Sequence, residues 1–349
     1  MKLPFNMSVK KNLQLFGYFI AVMSLMSMTS GAYGNQANPA IPEEYETTGG
    51  QSLAFGGSVA SGFGGVSSVR SNPALLAMDK EYAVSGSYHW PAAGRDFYQL
   101  GIVDSKTSSI AAGFSYTGAM ENYQGVATSS QATNPGMMDL SKDSPVVRRA
   151  SLAFAVPVGR FFAGLGGGLV EAQSPAETLT EDGSQKIKGF TMGFGLAAQV
   201  SSSVRLGVSA ENLANRKVRF AAPTFYRAAA SYSFADVASI NLDWRNRENI
   251  DLYEGVSPTL FTSSATPAET KSAKPENFLN VSTSVKVYDL LRLIAATGQL
   301  RSDTQNTTRI AGGLSLVNGN FNFSYQALKP DASKDSVHHS LALALDVAI

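Results

Sequence analysis

Residues Gly189–Val200 read GFTMGFGLAAQV, in which Phe190, Met192, Phe194, Leu196, Ala198 and Val200 alternate with Gly189, Thr191, Gly193, Gly195, Ala197 and Gln199. A period of two sends successive side chains to opposite faces of a strand, so one face is apolar and the other small or polar. A soluble sandwich with large residues in its core would carry Lys and Glu on the opposite face. Gly, Ala and Ser there suit an inside-out arrangement, in which large residues meet lipid and small ones leave room for a filling.

The alternation spreads outward from this segment. Val204, Leu206 and Val208 oppose Arg205, Gly207 and Ser209. Tyr226, Ala228, Ala230, Tyr232 and Phe234 share one phase, as do Ile240, Leu242 and Trp244, and Phe321, Phe323 and Tyr325. Phe161–Val170 and Leu290–Leu300 instead carry apolar residues in both phases. Fourteen strands are expected, near 81–90, 95–104, 107–120, 147–157, 160–172, 187–200, 203–212, 223–234, 238–247, 277–288, 290–302, 307–317, 319–328 and 336–348. Their lengths suit the roughly 9–11 residues with which a tilted strand crosses a bilayer.

Every second connection is very short: Ser105-Lys106, Pro157–Arg160, Ser201-Ser202, Ala235–Val237, Asp289 and Asn318. The others are generally longer, including Glu121–Val146, Gln173–Lys186, Asn249–Glu276 and Lys329–Asp335. Tight turns on one side and long loops on the other mark a barrel threaded through a membrane, whereas a sandwich or propeller has no reason to alternate them. Closure also removes the unpaired edges that hydrocarbon does not tolerate. The predicted fold is all-β: a transmembrane antiparallel β-barrel of about fourteen strands spanning 81–349, with an N-terminal plug inside the lumen.

With 28 basic and 27 acidic residues the 349-residue chain has no charge excess and no basic stripe, so no nucleic-acid partner is expected. The absence of cysteine removes disulfides, thiolate catalysis and cysteine-ligated metals. Lys10 and Lys11 precede the apolar run Leu13–Met28, and Ala32-Tyr33-Gly34 offers a small-x-small cleavage site. Residues 1–34 are therefore expected to be a signal peptide cleaved near Gly34, and residues 35–80 a polar leader followed by the plug. The rest of the chain has no run of about 18 apolar residues, hence no expected transmembrane helix.

The plug is assigned to Ser52–Met78, a glycine- and serine-rich run in which Leu53, Phe55, Val59, Phe63, Val66, Val69, Leu75, Leu76 and Met78 are interspersed. A solvated linker would not need these apolar residues. Pro73 fixes a turn and biases Asn72 away from helix, and the Asn72 side chain can bond neighbouring backbone. On the wall, Arg205, Glu211, Arg227, Asp243, Arg245 and Asp346 fall in the small-residue phase and should point inward. Unpaired charge is costly there, so ion pairs with the plug or with adjacent strands are expected, with an ion-selectivity site as the alternative.

Chemistry-bearing motifs are absent: there is no GxSxG elbow, HExxH pair or P-loop, and Gly164–Gly168 lacks the Lys-Ser/Thr of a phosphate cradle. The three histidines are His89, His338 and His339, and adjacent strand residues such as the last two point to opposite faces. No enzyme activity, cofactor or metal site is expected.

The run Gly56–Met78, GGSVASGFGGVSSVRSNPALLAM, followed at once by the first strand, resembles the N-terminal segment of the FadL-like outer-membrane transporter family of Gram-negative bacteria. RLGVSAENL at Arg205–Leu213 and YRAAASYSFADVASINLDW at Tyr226–Trp244 are similar to the PorV-like branch. The terminal phase His339, Leu341, Leu343, Leu345, Val347 and Ile349 resembles the recognition signal read by the barrel-assembly machinery during biogenesis. The resemblance implies passive, porin-like uptake of a hydrophobic small molecule through a barrel surrounded by outer-membrane lipid. It also implies a plug that occludes the lumen and rearranges to let substrate pass or leave through the wall. Plug and gating residues carried over are Asn72, Pro73 and Ala74, with Phe55 and Phe63 beside them; the three-residue motif could equally be a turn that only positions the plug. Gly113 and Gly118 are candidates for a wall kink, or for small packing positions. The PorV-like branch implies the alternative role, a non-transporting scaffold or secretion-associated protein that binds a protein partner at the outer loops.

Overall fold

The computed structural model describes residue 55 and residues 65–90, 97–119, 146–173, 186–214, 222–235, 237–247, 276–288, 290–301, 306–318, 320–329 and 337–346. The expected signal peptide and leader, Phe63 and most of the glycine-rich run before Gly65, the long loops and Val347–Ile349 lie outside the described residues.

Two short helices, α1 (Gly65–Ser71) and α2 (Leu75–Met78), precede the first strand. The strands that follow are β1 (Tyr82–Trp90), β2 (Phe97–Asp104), β3 (Ala111–Ala119), β4 (Val146–Val158), β5 (Phe161–Gln173), β6 (Lys186–Gln199) and β7 (Val204–Leu213). The second half comprises β8 (Phe225–Phe234), β9 (Ala238–Arg247), β10 (Glu276–Tyr288), β11 (Leu291–Arg301), β12 (Asn306–Asn318), β13 (Phe321–Lys329) and β14 (His338–Asp346).

Each strand pairs antiparallel with its neighbours in sequence, and β14 closes onto β1 with Gly86 opposite Leu343. Backbone groups of β1 are thereby paired on both sides, which is the condition for exposing a sheet to hydrocarbon. The strand ends joined by the short segments 159–160, 200–203, 235–237, 289–290 and 319–320 share the end where β1 begins, and the strand ends bordering the long segments 120–145, 174–185 and 248–275 share the other end. The tightest turns need unusual backbone: Gly159 has φ +67, which a glycine adopts without steric cost.

The barrel is apolar outside and small or polar inside. Leu165 and Leu169 are 56% and 66% exposed on the outer face, whereas Thr191 and Asn241 on the inner face are fully buried. The two segments with apolar residues in both phases have a common cause, which is the plug. Phe161, Leu165 and Leu169 face outward, while Phe162 turns inward and packs against residues of α2. On β11, Ile294 turns inward against Phe55.

Candidate functional site

The plug helix α1 presents Val66 and Val69 on one side, three positions apart, and these pack with Leu76 and Ala77 against Val103, Ala111, Ala153 and Ala155 of the wall. The helix stops at Asn72 because Pro73 lacks an N–H and disfavours helical backbone in the residue before it. Asn72 Oδ1 accepts the Ala74 N–H at 3.1 Å, closing a turn into α2, and Asn72 Nδ2 donates to the Leu196 carbonyl of β6 at 3.3 Å. Asn72, Pro73 and Ala74 thus form a turn seated directly on the wall.

That seat depends on missing side chains. A Cβ at Gly195 would lie 1.8 Å from Asn72 Oδ1, and one at Gly164 would lie 2.4 Å from the Ala74 nitrogen. The small phase of β5 and β6 is therefore a notch shaped to this turn. Gly113 has the same role on β3, where a Cβ would come 2.7 Å from Val69 Cγ2. Gly118 faces outward beneath Tyr98, whose ring is tilted 43° to that of Tyr116. The β2–β3 ladder runs through Gly113 and Gly118 without a register shift, and the β3–β4 ladder runs through Gly113 and ends at Thr117 opposite Arg149. Gly113 is thus packed against the plug and Gly118 against an aromatic ring.

The polar attachment centres on Glu211 of β7. Its Oε1 lies 3.1 Å from Arg70 Nη2 of the plug and 3.3 Å from Arg149 Nη1 of β4; its Oε2 lies 2.9 Å from Arg227 Nη1 of β8. Arg70 Nε donates an aligned hydrogen bond to Oε1 at 3.2 Å. One carboxylate thus faces three guanidiniums in a buried site. Arg227 Nη1 also donates to the Ser71 carbonyl at 3.2 Å, and Ser209 Oγ donates to the same carbonyl at 2.6 Å. A bulge adjoins this site: the β6–β7 register shifts between Met192 and Phe194, Asn212 has φ 61, and Asn212 Nδ2 donates to the Pro223 carbonyl at 2.8 Å.

Beyond Glu211 the lumen face carries an interleaved row of cations and rings. Arg227 lies 5.2 Å from the Phe225 ring, Arg245 4.7 Å from the Phe278 ring, and Arg309 5.1 Å from the same ring. Phe278 occupies the space over Gly298, where a Cβ would meet its Cζ at 2.5 Å. Asp243 is fully buried next to Arg245 along β9. Phe55 sits on this side of the barrel, its carbonyl accepting Asn280 Nδ2 at 2.7 Å.

At the short-turn end, Arg205 Nη1 is 3.2 Å from Asp79 Oδ1, which follows the plug directly. Asp346 pairs with Lys106 at 3.0 Å on the exposed rim, where solvent weakens the attraction. Glu81 Oε1 accepts the Gly65 N–H at 2.7 Å; burial first, and then the charge of Asp79, push its carboxyl up to about 7. His338 is buried in the lumen while His339 meets the Tyr325 hydroxyl outside at 2.7 Å, so the pair does not converge.

The inward set Glu211, Arg227, Asp243 and Arg245 is drawn together around the plug, whereas Arg205 and Asp346 lie apart near the short-turn end. Sequence reading did not single out Arg70, Arg149, Phe225, Phe278 or Arg309. Arg149 was within reach, because Ser151, Ala153 and Ala155 share its phase against Leu152, Phe154 and Val156.

A closed, plugged fourteen-strand barrel with an apolar exterior defines a transmembrane β-barrel of FadL-like architecture. The fold is shared with the Ralstonia pickettii toluene transporter TbuX, at a TM-score of 0.59 and 13% sequence identity, covering 87% of this chain and 99% of that one. The CymD monoaromatic hydrocarbon channel gives a TM-score of 0.60 at 12% identity, over 86% of this chain and 98% of its own. The P. putida toluene transporter TodX gives 0.58 at 11% identity, over 87% and 100%. At such identities the likeness establishes the fold. No protein-family model matches the sequence, and no curated protein matches it.

Proposed function

We propose that the chain is a bacterial outer-membrane barrel for passive uptake of a hydrophobic small molecule, closed at rest by its N-terminal plug. The observation that carries this reading is the mixed character of the plug's seat. Apolar packing and glycine notches fit the plug to the wall, but its polar hold is concentrated on Arg70, Ser71 and Asn72. A filling that served only as a core would have no need of a buried guanidinium, since apolar replacement of buried ion pairs is often neutral or stabilising. A concentrated polar hold is a set of contacts that can break together, which a passage past the plug requires. The shared fold with hydrocarbon and toluene transporters supports the same class of cargo.

The test is uptake of a radiolabelled monoaromatic hydrocarbon by cells lacking the protein and by cells with it restored. Slower uptake without the protein is expected. Unchanged uptake, together with a defined protein recovered by crosslinking at the outer loops, would favour the scaffold role instead.

A further inference from the structure

Two residues on the lumen face of β9 present oxygen atoms that receive no hydrogen bond. Asn241 and Asp243 are fully buried, and neither Asn241 Oδ1 nor either Asp243 carboxylate oxygen has a hydrogen-bond partner among the described residues. Asn241 is oriented by its amide, which donates to Ser282 Oγ at 3.1 Å across the β9–β10 pair. Residues two apart on a strand share a face, so three acceptors without a donor stand side by side. Buried acceptors left in that condition are costly, and a fold that keeps three together has a donor to receive there in some state.

The surroundings define that donor. Arg245 is the next inward residue of β9, and Arg227 on β8 is the diagonal neighbour of Asp243, since Arg227 stands opposite Arg245 and Ala229 opposite Asp243. Arg227 is held by the wall carboxylate of Glu211 at 2.9 Å, and Arg245 lies 4.7 Å over the Phe278 ring. Two guanidiniums so near disfavour a metal ion or an ammonium, and an uncharged O–H or N–H fits instead. An apolar seat adjoins the acceptors. Asn280, opposite Asp243 on β10, donates to the Phe55 carbonyl at 2.7 Å, and the buried Phe55 side chain packs against Ile294 of β11. Phe278, the diagonal neighbour of Asp243 on β10, is a further aromatic wall. A phenyl ring therefore already has a place beside the acceptors, and the plug itself fills it.

We propose that this is a cargo subsite for a small uncharged aromatic molecule bearing a hydroxyl group. Its ring takes the place of Phe55 against Ile294, and its O–H donates to the Asp243 carboxylate with Asn241 alongside. Cargo and Phe55 compete for one seat, so cargo binding favours the state in which Phe55 has left. The proposal rests on the uptake reading above and narrows its cargo from hydrophobic molecules in general to those with a hydrogen-bond donor.

The test is equilibrium dialysis of the full-length chain in detergent against three radiolabelled probes of similar size. These are p-cresol, 4-methylanisole, in which a methyl group caps the same hydroxyl, and toluene, which lacks it. A site built to hydrogen-bond a hydroxyl discriminates against the analogue without one, so p-cresol is expected to bind at least about tenfold more tightly than the other two. Asp243→Asn is nearly isosteric but offers an N–H, which an ether oxygen can meet. It is expected to bring p-cresol and 4-methylanisole within about threefold of each other, whereas a merely structural role would weaken all three probes alike. Binding of 4-methylanisole or toluene as tight as that of p-cresol in the parent would overturn the proposal, as would an undiminished preference in Asp243→Asn. Toluene bound without any preference for p-cresol strikes this inference and leaves the uptake reading standing. If none of the three binds, and cells with the protein take up none of them faster than cells without it, the uptake reading fails and this inference with it.

Discussion

Arg70 Nη2 of the plug and Glu211 Oε1 of the wall stand 3.1 Å apart with both side chains 2% exposed, and they join residues 141 positions apart in sequence. Arg149 and Arg227 complete the surroundings of the same carboxylate, so its removal would leave three buried cations facing one another.

Glu211→Gln keeps the shape and deletes the charge. Breaking a buried pair by removing one partner costs about 3–5 kcal/mol. The variant is expected to lose thermal stability and to show ion conductance in planar bilayers, where the parent is quiet. A quiet, equally stable Glu211→Gln would show that the ion pairs do not hold the plug.

Arg70→Met is expected to be milder than Glu211→Gln, because Glu211 keeps Arg149 and Arg227 and no cation is left unpaired by the change. The ranking is read from melting temperatures of the two variants in the same detergent. A reversed ranking would mean that apolar contacts of α1, rather than the carboxylate, dominate the hold.

Gly195→Ala tests the notch. Its Cβ would meet Asn72 Oδ1 at 1.8 Å, so the Asn72-Pro73-Ala74 turn must lift from the wall. Overpacking of this kind costs about 1–3 kcal/mol. Gly166→Ala is the matched control, since its nearest contacts begin at 3.4 Å. Increased protease cleavage within the plug is expected for Gly195→Ala and not for Gly166→Ala; equal cleavage in both would remove the notch from the account.

Glu81 predicts a pH dependence. Its carboxyl is pushed up to about 7 from an ordinary 4.5, so the folded chain holds a proton there that the unfolded chain has released. Stability linked to Glu81 is fully present below about pH 4.5 and is lost as pH rises through about 7. The intact protein should therefore lose more thermal stability between pH 5 and pH 8 than Glu81→Gln does, roughly the window in which a carboxyl so raised titrates. Equal losses in the two proteins would refute the assignment.

The wall was legible in the sequence because period-two alternation is local: most of the strands announce their own faces, and closure follows from the need to leave no edge. Phe161–Val170 and Leu290–Leu300 were ambiguous for a physical reason, since their inward apolar residues Phe162 and Ile294 answer to α2 and Phe55, far away in the chain. The polar attachment around Glu211 was half legible. Glu211 and Arg227 lie in the small-residue phase, but that Arg70 meets them depends on where the plug lands, which no local pattern encodes. Gly113 read as a kink or a packing position, and only the position of Val69 identifies it as a socket.

The central claim, that Ser52–Met78 closes the barrel, is tested most directly by single-channel recording of the full-length chain and of a chain lacking that segment, each refolded and inserted in planar bilayers. The account predicts a quiet full-length protein and a steadily conducting deletion. A correctly folded deletion that stays as quiet as its parent would contradict it.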